Sequence, residues 1–260
     1  GDTPRYPTLD DLRPLIEVVH HACRAGAYDE AVDLLWERIY QRNNFVIYHQ
    51  LGAYETDLSI LTEFFPRRAS EAGTPPDLSA DPQVSDPGDK RWILGEVGLC
   101  LMSLGRLRDA VPFYERKNAM PDGKTSIGYN NLASLHIYLG DLESGATAAR
   151  HALDLARKAE NQQDEVNSMG WVARSNFLMG NLGKAIEVYA EAEKLQTEIQ
   201  PSLQYHYSTD GIWHAETLIR TAKTLRRPAA KSPIRSSAET LERFDADPLE
   251  YARRITEANL

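Results

Sequence analysis

The sequence predicts an all-α fold, a right-handed superhelix of antiparallel helix hairpins, and this prediction rests on regularly spaced small residues. Gly105, Gly140 and Gly180 each follow a large apolar residue and lie 35 and 40 residues apart. Small residues stand seven positions before and five positions after each of these glycines; they are Gly98, Ala133, Ala173, Ala110, Gly145 and Ala185. Small side chains let two antiparallel helices approach closely, and a glycine after a helix tolerates the left-handed cap conformation. A period in this range is typical of stacked helical hairpins, an α-solenoid.

The tetratricopeptide frame fits this pattern three times between Arg91 and Gln200. The three copies begin at Leu94, Tyr129 and Met169. We therefore expect six antiparallel helices in this stretch, continued on both sides by further helices. An irregular helical bundle is the alternative interpretation.

Residues 1–65 are predicted to form helical hairpins of the same kind. A helix starts with Thr8 or Asp10 as its N-cap, since both side chains can accept a hydrogen bond from the first turn. The repeat frame fits once more over Leu12–Gln41, and Phe45–Phe65 has an apolar helical pattern without a clear frame.

Residues 66–90 are predicted to be a loop, because they contain five prolines, two glycines and four aspartates. Such a composition cannot bury a core. The loop is either a plain connection or a functional insert, and we expect the next helix to start at Asp89 or Lys90.

Tetratricopeptide repeats are predicted over residues 91–222, with an amphipathic helix at Ser202–Leu225 whose packing face includes Ile212 and Trp213. Residues 223–260 are predicted to be a basic loop followed by a helix that caps the array. The loop contains four basic residues and no acidic one between Arg226 and Ser237, and a solvated connector is favoured over a phosphate-binding patch.

Several short segments have a more specific pattern than the repeat frame requires. They are Glu63–Pro66, Asp86–Asp89 with Trp92–Leu94, Leu104–Leu107, Asn130–Ala133 with Leu139–Leu142, and Ala190–Gln196. In this order they resemble the C-terminal tetratricopeptide (TPR) arms of bacterial NACHT/NB-ARC (STAND-type) signalling proteins. The resemblance implies protein recognition, often as the sensing part of a signalling or defence switch, with an NTPase or effector domain upstream in the same polypeptide. The chain departs from that family after Gly211, where Ile212–Ala215 replaces the usual aromatic-plus-cysteine run.

Composition and charge narrow the classes of partner. The formal net charge of −9 argues against nucleic acid as the main partner. No apolar run approaches the roughly 18 residues that a membrane-spanning helix needs, so no membrane interaction is expected. Cys23 and Cys100 lie in apolar helical surroundings and are predicted to be buried free thiols, which fits a reducing, cytoplasmic location.

The sequence contains no motif that predicts catalysis. A phosphate-binding Gly-x-x-x-x-Gly-Lys-Ser/Thr loop, a Cys-x-x-Cys pair and a His-Glu-x-x-His run are all missing. His206, Asp210 and His214 are spaced four residues apart and could share a helix face, but histidines packed in a core are the favoured interpretation. We expect no enzyme activity, no catalytic residue, no metal and no cofactor.

The repeat frame predicts a groove lined by the first helix of each hairpin, which would bind a protein or peptide. Its candidate residues are Trp92, Asn130, Ser134, Asn167 and Arg174. Asparagine amides can pair with a peptide backbone, and an arginine can hold a carboxylate with two hydrogen bonds. Packing between repeats is the alternative for each residue.

Arg174 is the centre of this prediction. It is expected to project unshielded one turn from Gly170, whose missing side chain leaves room for a ligand backbone. An acidic or extended peptide would fit such a groove, and Arg174→Ala would weaken binding while leaving the fold nearly intact. A receptor for a small molecule or peptide that changes superhelical shape on binding is the alternative function.

Overall fold

The computed structural model describes residues 7–67, 75–203, 205, 208–225 and 248–258. These residues are helical apart from turns, loops and one isolated bridge between Arg67 and Pro76. They divide into two compact units, residues 1–123 and 124–260. The predicted basic loop at Arg226–Ser237 lies outside the described residues.

Six α-helices lie in the part of the first unit that the structure describes. They are α1 (Leu9–Arg24), α2 (Tyr28–Leu34), α3 (Val46–His49), α4 (Tyr54–Thr62), α5 (Pro87–Ser103) and α6 (Leu107–Ala119). Thr8 is the N-cap of α1 and forms a capping box with Asp11, so the first of the two predicted caps is the one used. A π-helical turn, Leu35–Ile39, prolongs α2, and a short 3-10 turn at Arg42–Asn44 follows.

The helix α5 starts earlier than the sequence predicts. Asp86 is its N-cap, and its carboxylate accepts hydrogen bonds from the backbone amides of Gly88 at 2.6 Å and Asp89 at 3.1 Å. Pro87 occupies the first helical position, where a missing amide hydrogen costs nothing. The predicted loop therefore ends at Asp86 rather than Lys90.

Hydrogen bonds within the first unit hold the described part of that loop, residues 75–86. The guanidinium of Arg116, on α6, donates to the carbonyl oxygen of Leu78 at 2.7 Å and to that of Ala80. The backbone amide of Gln83 donates to the carbonyl of Phe64 at 2.8 Å. These bonds make residues 75–86 an ordered connection.

Ionisable side chains are buried in the core of the first unit. The Tyr40 hydroxyl lies 2.7 and 2.8 Å from the two carboxylate oxygens of Asp57, and Cys100 Sγ lies 3.4 Å from one of them. Burial raises the pKa of Asp57 to about 7. Burial, with the nearby Asp57 charge, raises the pKa of Glu96 to about 8. Both carboxyl groups thus bind a proton at a higher pH than an exposed carboxyl group does.

The described residues of the second unit form six further helices. They are α7 (Ser126–Tyr138), α8 (Leu142–Lys158), α9 (Gln162–Leu178), α10 (Leu182–Ile199), α11 (Ser208–Leu225) and α12 (Pro248–Ala258). The predicted helix at Ser202–Leu225 thus starts at Ser208. Ile212, which was predicted to pack, is 51% exposed.

The helices α7 and α8 run antiparallel and approach closely at a small residue. A side-chain Cβ on Gly145 of α8 would lie 2.7 Å from Ile137 Cγ1 on α7, and the rings of Tyr129 and His151 are 5.4 Å apart on the same two helices. As the residue number rises along α7, the number of its neighbour on α8 therefore falls. Gly140, in the connecting turn, has a φ of +84°, which explains the glycine at that position. The predicted fold class, all-α and built from hairpins of a TPR-like solenoid, is confirmed.

The first helices of successive hairpins lie side by side and run parallel. The Asn130 side chain donates to Ser168 Oγ at 3.1 Å, and the Ser126 hydroxyl donates to Asp164. Both pairs join residues that are 38 positions apart, so α7 and α9 keep one register along their contact. A contact between the rings of Trp171 and Trp213 links α9 to α11.

The last described helix, α12, packs on α10 and α11. Ile186, Leu218 and Ile255 form a buried apolar cluster at this contact, and the Tyr251 hydroxyl donates to the Glu193 carboxylate. The helix covers an apolar face of the second unit. That it caps the array stays a prediction.

Candidate functional site

A cavity of about 540 Å³ opens on α7, α9 and α11 in the second unit. Its lining is mainly uncharged. Six side-chain amides line it, those of Asn130, Asn131, Gln163, Asn167, Gln196 and Gln200. Three aromatic rings, one carboxyl group and one threonine, from Tyr138, Trp171, Trp213, Asp210 and Thr209, complete the polar and aromatic lining. We call this site the amide cavity.

Asn130 and Asn167 are the two predicted groove residues that the structure brings together in the amide cavity. They come from neighbouring parallel helices, α7 and α9. Asn167 is exposed, whereas Asn130 is only 8% exposed. The asparagines are therefore placed where the repeat frame puts them, although one of them lies deep.

Asn130 has one half of its amide without a partner. Its Nδ2 donates to Ser168 Oγ, but its buried Oδ1 accepts no hydrogen bond within the described part of the chain. A buried acceptor without a donor costs roughly 1–3 kcal/mol. A ligand that donates a hydrogen bond to this oxygen would recover that cost.

Ser134 is not in the cavity, contrary to the prediction. It is 4% exposed, and its hydroxyl donates to the Asn131 carbonyl at 2.8 Å. Serine hydroxyls in helices commonly bond to the backbone of the preceding turn, and this bond turns the side chain away from a ligand.

Asp210 fills the space beside Gly170 that was predicted to accommodate a ligand backbone. A Cβ at Gly170 would lie only 2.8 Å from Asp210 Oδ2, so the carboxyl group of α11 packs directly on the backbone of α9. Burial raises the pKa of Asp210 to about 7. Gly170 therefore serves helix contact, and the group it admits is a carboxyl group of the chain itself.

Arg174 is shielded, which corrects the expectation that it projects freely. Its guanidinium lies 2.6 Å from the Glu216 carboxylate and covers the rings of Phe177 and Trp213 at 5.1 Å each. Only 19% of its side chain is exposed. The charge that was expected to hold a ligand carboxylate is thus already paired on α11.

Trp171 and Trp213 are functional candidates that the sequence reasoning missed. Their rings meet at 4.9 Å with an interplanar angle of 61°, and the Tyr138 ring lies 6.2 Å from that of Trp171. Aromatic residues at helix spacing usually indicate a core, so only their position at the edge of the cavity distinguishes them. They provide an apolar wall beside the amides.

Trp92 belongs to the first unit and has a different environment. Its ring packs edge-on against Tyr40 at 5.0 Å and Trp36 at 5.6 Å. It lines a smaller cavity of about 240 Å³ with Asp33 and Asp89. A binding role for Trp92 stays a prediction.

Side chains that could support metal or nucleophilic chemistry do not converge in the described residues. No group of three or more His, Cys, Asp or Glu side chains there could hold a metal ion. His214 is buried and stacks on Tyr189 at 5.1 Å, while His206 lies outside the described residues. Cys23 and Cys100 are free and buried, and burial raises the pKa of Cys23 to about 12, far from that of a reactive thiol.

None of the helices in the described ranges has both the length and the apolar character needed to cross a membrane.

Comparison with known proteins supports the repeat assignment. The family model described as Tetratricopeptide repeat matches residues 128–158, which are almost all of the α7–α8 hairpin. None of the curated proteins matches the chain.

Solved structures share the fold at low sequence identity. The crystal structure of BtubC (BKLC) from P. vanneervenii has a TM-score of 0.51 and 16% identity, covering 97% of this chain and 92% of its own. Two structures of a Podosopora anserina putative kinesin light chain with nearly identical TPR-like repeats, one of them a variant form, are 14% identical. They have TM-scores of 0.45 and 0.43, with 94% of both chains covered in each case. The matched hairpin and the fold shared with BtubC together support a fold of TPR-like helical hairpins.

Proposed function

We propose that this protein is a non-catalytic scaffold that binds an extended segment of a partner protein, or a peptide, in the amide cavity. The observation that carries the proposal is the combination of six side-chain amides with an aromatic wall. The parallel helices α7, α9 and α11 supply most of this lining, and the C-terminal end of α10 supplies Gln196 and Gln200. Each amide offers both a donor and an acceptor, as a peptide backbone does.

The dimensions and depth of the cavity suit such a ligand. A volume of about 540 Å³ is within the range of roughly 300–1,000 Å³ that ligand pockets occupy. The unpaired Oδ1 of Asn130 supplies a buried acceptor that a backbone N–H could satisfy. Trp171 and Tyr138 provide apolar area for a side chain, which is the usual source of affinity in peptide recognition.

The wider role we propose is that of the sensing or recognition arm of a larger bacterial signalling or defence protein in the cytoplasm. This part of the proposal is supported by the resemblance of Asn130–Ala133, Leu139–Leu142 and the other segments to STAND-type arms. An upstream NTPase or effector domain in the same polypeptide would then respond to ligand binding.

A receptor that binds a small molecule and changes superhelical shape is the second candidate, supported by the concave form of the amide cavity. Small-angle scattering with and without saturating ligand distinguishes the two functions. A shape change on ligand binding favours the receptor, and an unchanged scattering profile favours the scaffold.

The experiment that tests the scaffold is selection of a random dodecapeptide library on the whole chain, followed by titration of the enriched peptides. Asn167→Trp places a large side chain at an exposed lining position and should weaken binding at least tenfold. Asp154→Trp, at an exposed position of α8 that does not line the cavity, is the matched control and should leave affinity unchanged. The proposal fails if no peptide is enriched, or if the enriched peptides bind the Asn167→Trp variant normally.

A further inference from the structure

We propose that the amide cavity selects basic peptides, in which a lysine or arginine side chain pairs with Asp210 and donates hydrogen bonds into the cavity. The inference deepens the proposed function and rests on it. It also reverses the expectation from sequence, which favoured an acidic ligand held by Arg174.

The charges around the cavity support this reversal. Asp210 is the one charged side chain among the described residues that line it. Arg174 cannot counter that charge for a ligand, because its guanidinium lies 2.6 Å from Glu216. An incoming carboxylate would therefore meet a like charge with no free cation beside it, whereas an incoming cation meets an uncompensated acid.

The local packing makes Asp210 an acceptor for a ligand. Its carboxyl group is held against the Gly170 backbone, and no described side chain forms a hydrogen bond or ion pair with it. Removing a carboxylate from water without a cation is costly, and a cationic partner offsets that cost. The position is fixed by close helix contact, so the acceptor is preorganised.

Two groups in the cavity offer acceptors that no described side chain satisfies. They are the buried Oδ1 of Asn130 and the carboxyl oxygens of Asp210. An ammonium group offers three donors and a guanidinium five, and neither has an acceptor. A basic side chain therefore satisfies the acceptors of Asn130 and Asp210 better than a hydroxyl or an amide does.

The aromatic wall also favours a cation. The Trp171 ring lines the cavity next to Trp213, and the face of an indole attracts ammonium and guanidinium groups. The Arg174 guanidinium already lies 5.1 Å from the centre of the Trp213 ring, so this wall holds one cation within the chain itself. The remaining amides can fix the backbone of the same peptide.

Ligand binding should be coupled to proton release. Burial raises the pKa of Asp210 to about 7, so a fraction of the empty sites is neutral at physiological pH. A bound cation favours the carboxylate, and affinity should therefore fall as the pH drops from about 8 to about 6. Among the described residues, the Arg174–Glu216 pair and Tyr189 of α10 also lie near Asp210; burial raises the pKa of Tyr189, which stays neutral in this range.

The test uses the peptides enriched from the dodecapeptide library, titrated by calorimetry at pH 7.5. We expect enrichment of peptides with lysine or arginine. Replacement of that lysine by norleucine, or that arginine by citrulline, should weaken binding about tenfold or more. Asp210→Asn should cause a similar loss, and the control Asp154→Asn, an exposed acid of α8, should cause none.

The possible results separate this inference from the proposed function. If the enriched peptides are acidic or uncharged and do not bind the Asn167→Trp variant, the inference of a basic ligand is wrong and the proposed scaffold function still holds. Peptides that bind Asn167→Trp normally overturn both. If Asp210→Asn is unstable, the pH profile of the unaltered protein decides, and equal affinities at pH 6 and pH 8 overturn the inference. If N-acetyl-lysine methylamide binds as tightly as the peptide, the site recognises a small organic cation, and the inference of a peptide ligand is wrong.

Discussion

The guanidinium of Arg174 on α9 lies 2.6 Å from the carboxylate of Glu216 on α11, 42 residues further along the chain. The same guanidinium covers one aromatic ring from each of these helices, Phe177 and Trp213. Arg174 therefore joins two neighbouring helices, and its first role in this structure is to stabilise their contact.

Arg174→Ala should destabilise the protein by about 1–2 kcal/mol, because it removes two cation–π contacts and the packing of a largely buried side chain. Glu216→Gln is the control: it removes only the ion pair to a half-exposed carboxylate and should cost less than about 1 kcal/mol. Urea denaturation followed by circular dichroism measures both. If both variants lose almost no stability, Arg174 does not stabilise the contact between α9 and α11 and is available to a ligand.

Ala133→Leu and Ala173→Leu should each destabilise the protein by roughly 1–3 kcal/mol through overpacking. Both alanines have no exposed surface and lie where helices approach most closely. Ala119→Leu, at the exposed end of α6, is the matched control and should change stability by less than about 0.5 kcal/mol. Thermal melting compares the three, and buried variants that melt like the control would contradict the packing described for α7 and α9.

Stability should fall as pH rises from about 5 to 8, because of Asp57 and Glu96. Their folded-state pKa values, about 7 and about 8, lie above the values near 4 that carboxyl groups have in an unfolded chain. In this window the folded state binds more protons than the unfolded state, so the free energy of unfolding decreases with pH.

Glu96→Gln should flatten this dependence by up to about 1.4 kcal/mol per pH unit, between the unfolded-state pKa of Glu96 near 4 and its folded-state pKa of about 8. Urea denaturation at half-unit steps of pH measures the slope. The exposed Glu115→Gln provides the control and should follow the parent curve. Parallel curves for Glu96→Gln and the parent protein would mean that Glu96 is not protonated in the folded state.

Arg116→Ala should release residues 75–86 without unfolding the first unit. The substitution removes the hydrogen bonds from the guanidinium to Leu78 and Ala80, on which this connection depends. Hydrogen exchange in residues 75–86 should accelerate at least tenfold. The exposed Arg108 on the same helix serves as control, and its alanine variant should exchange like the parent protein. Unchanged exchange in Arg116→Ala would assign the order of the segment to its own backbone contacts.

The fold could be predicted from sequence because its determinants are local. The glycines at the turns and the small residues at the helix contacts recur at a fixed spacing, and they are sufficient to define the hairpins. The helix α5 starts before the predicted Asp89 or Lys90, because Pro87, although part of a proline-rich stretch, is well suited to a first helical position. In the second unit, Ser208 rather than Ser202 begins α11.

The candidate site was only partly predictable, since its decisive contacts join residues distant in sequence. Asn130 and Asn167 follow from the repeat frame and do line the cavity. The frame cannot show that Asp210 packs on Gly170, because that depends on how α11 packs against α9. Asp210 appeared in the sequence only as a possible metal ligand, and the pairing that shields Arg174 depends on the same helix contact.

Two hydrogen-bonded pairs give α7 and α9 one common register, in which partners are 38 residues apart. Asn130 meets Ser168, and Ser126 meets Asp164, through the same number of intervening residues. A single residue inserted within α8 would rotate everything after it in that helix by about 100° and disturb its packing on both neighbours. Insertions and deletions should therefore be tolerated in the turns or as entire hairpins. The protein can lengthen by duplication far more easily than by gradual growth of a helix.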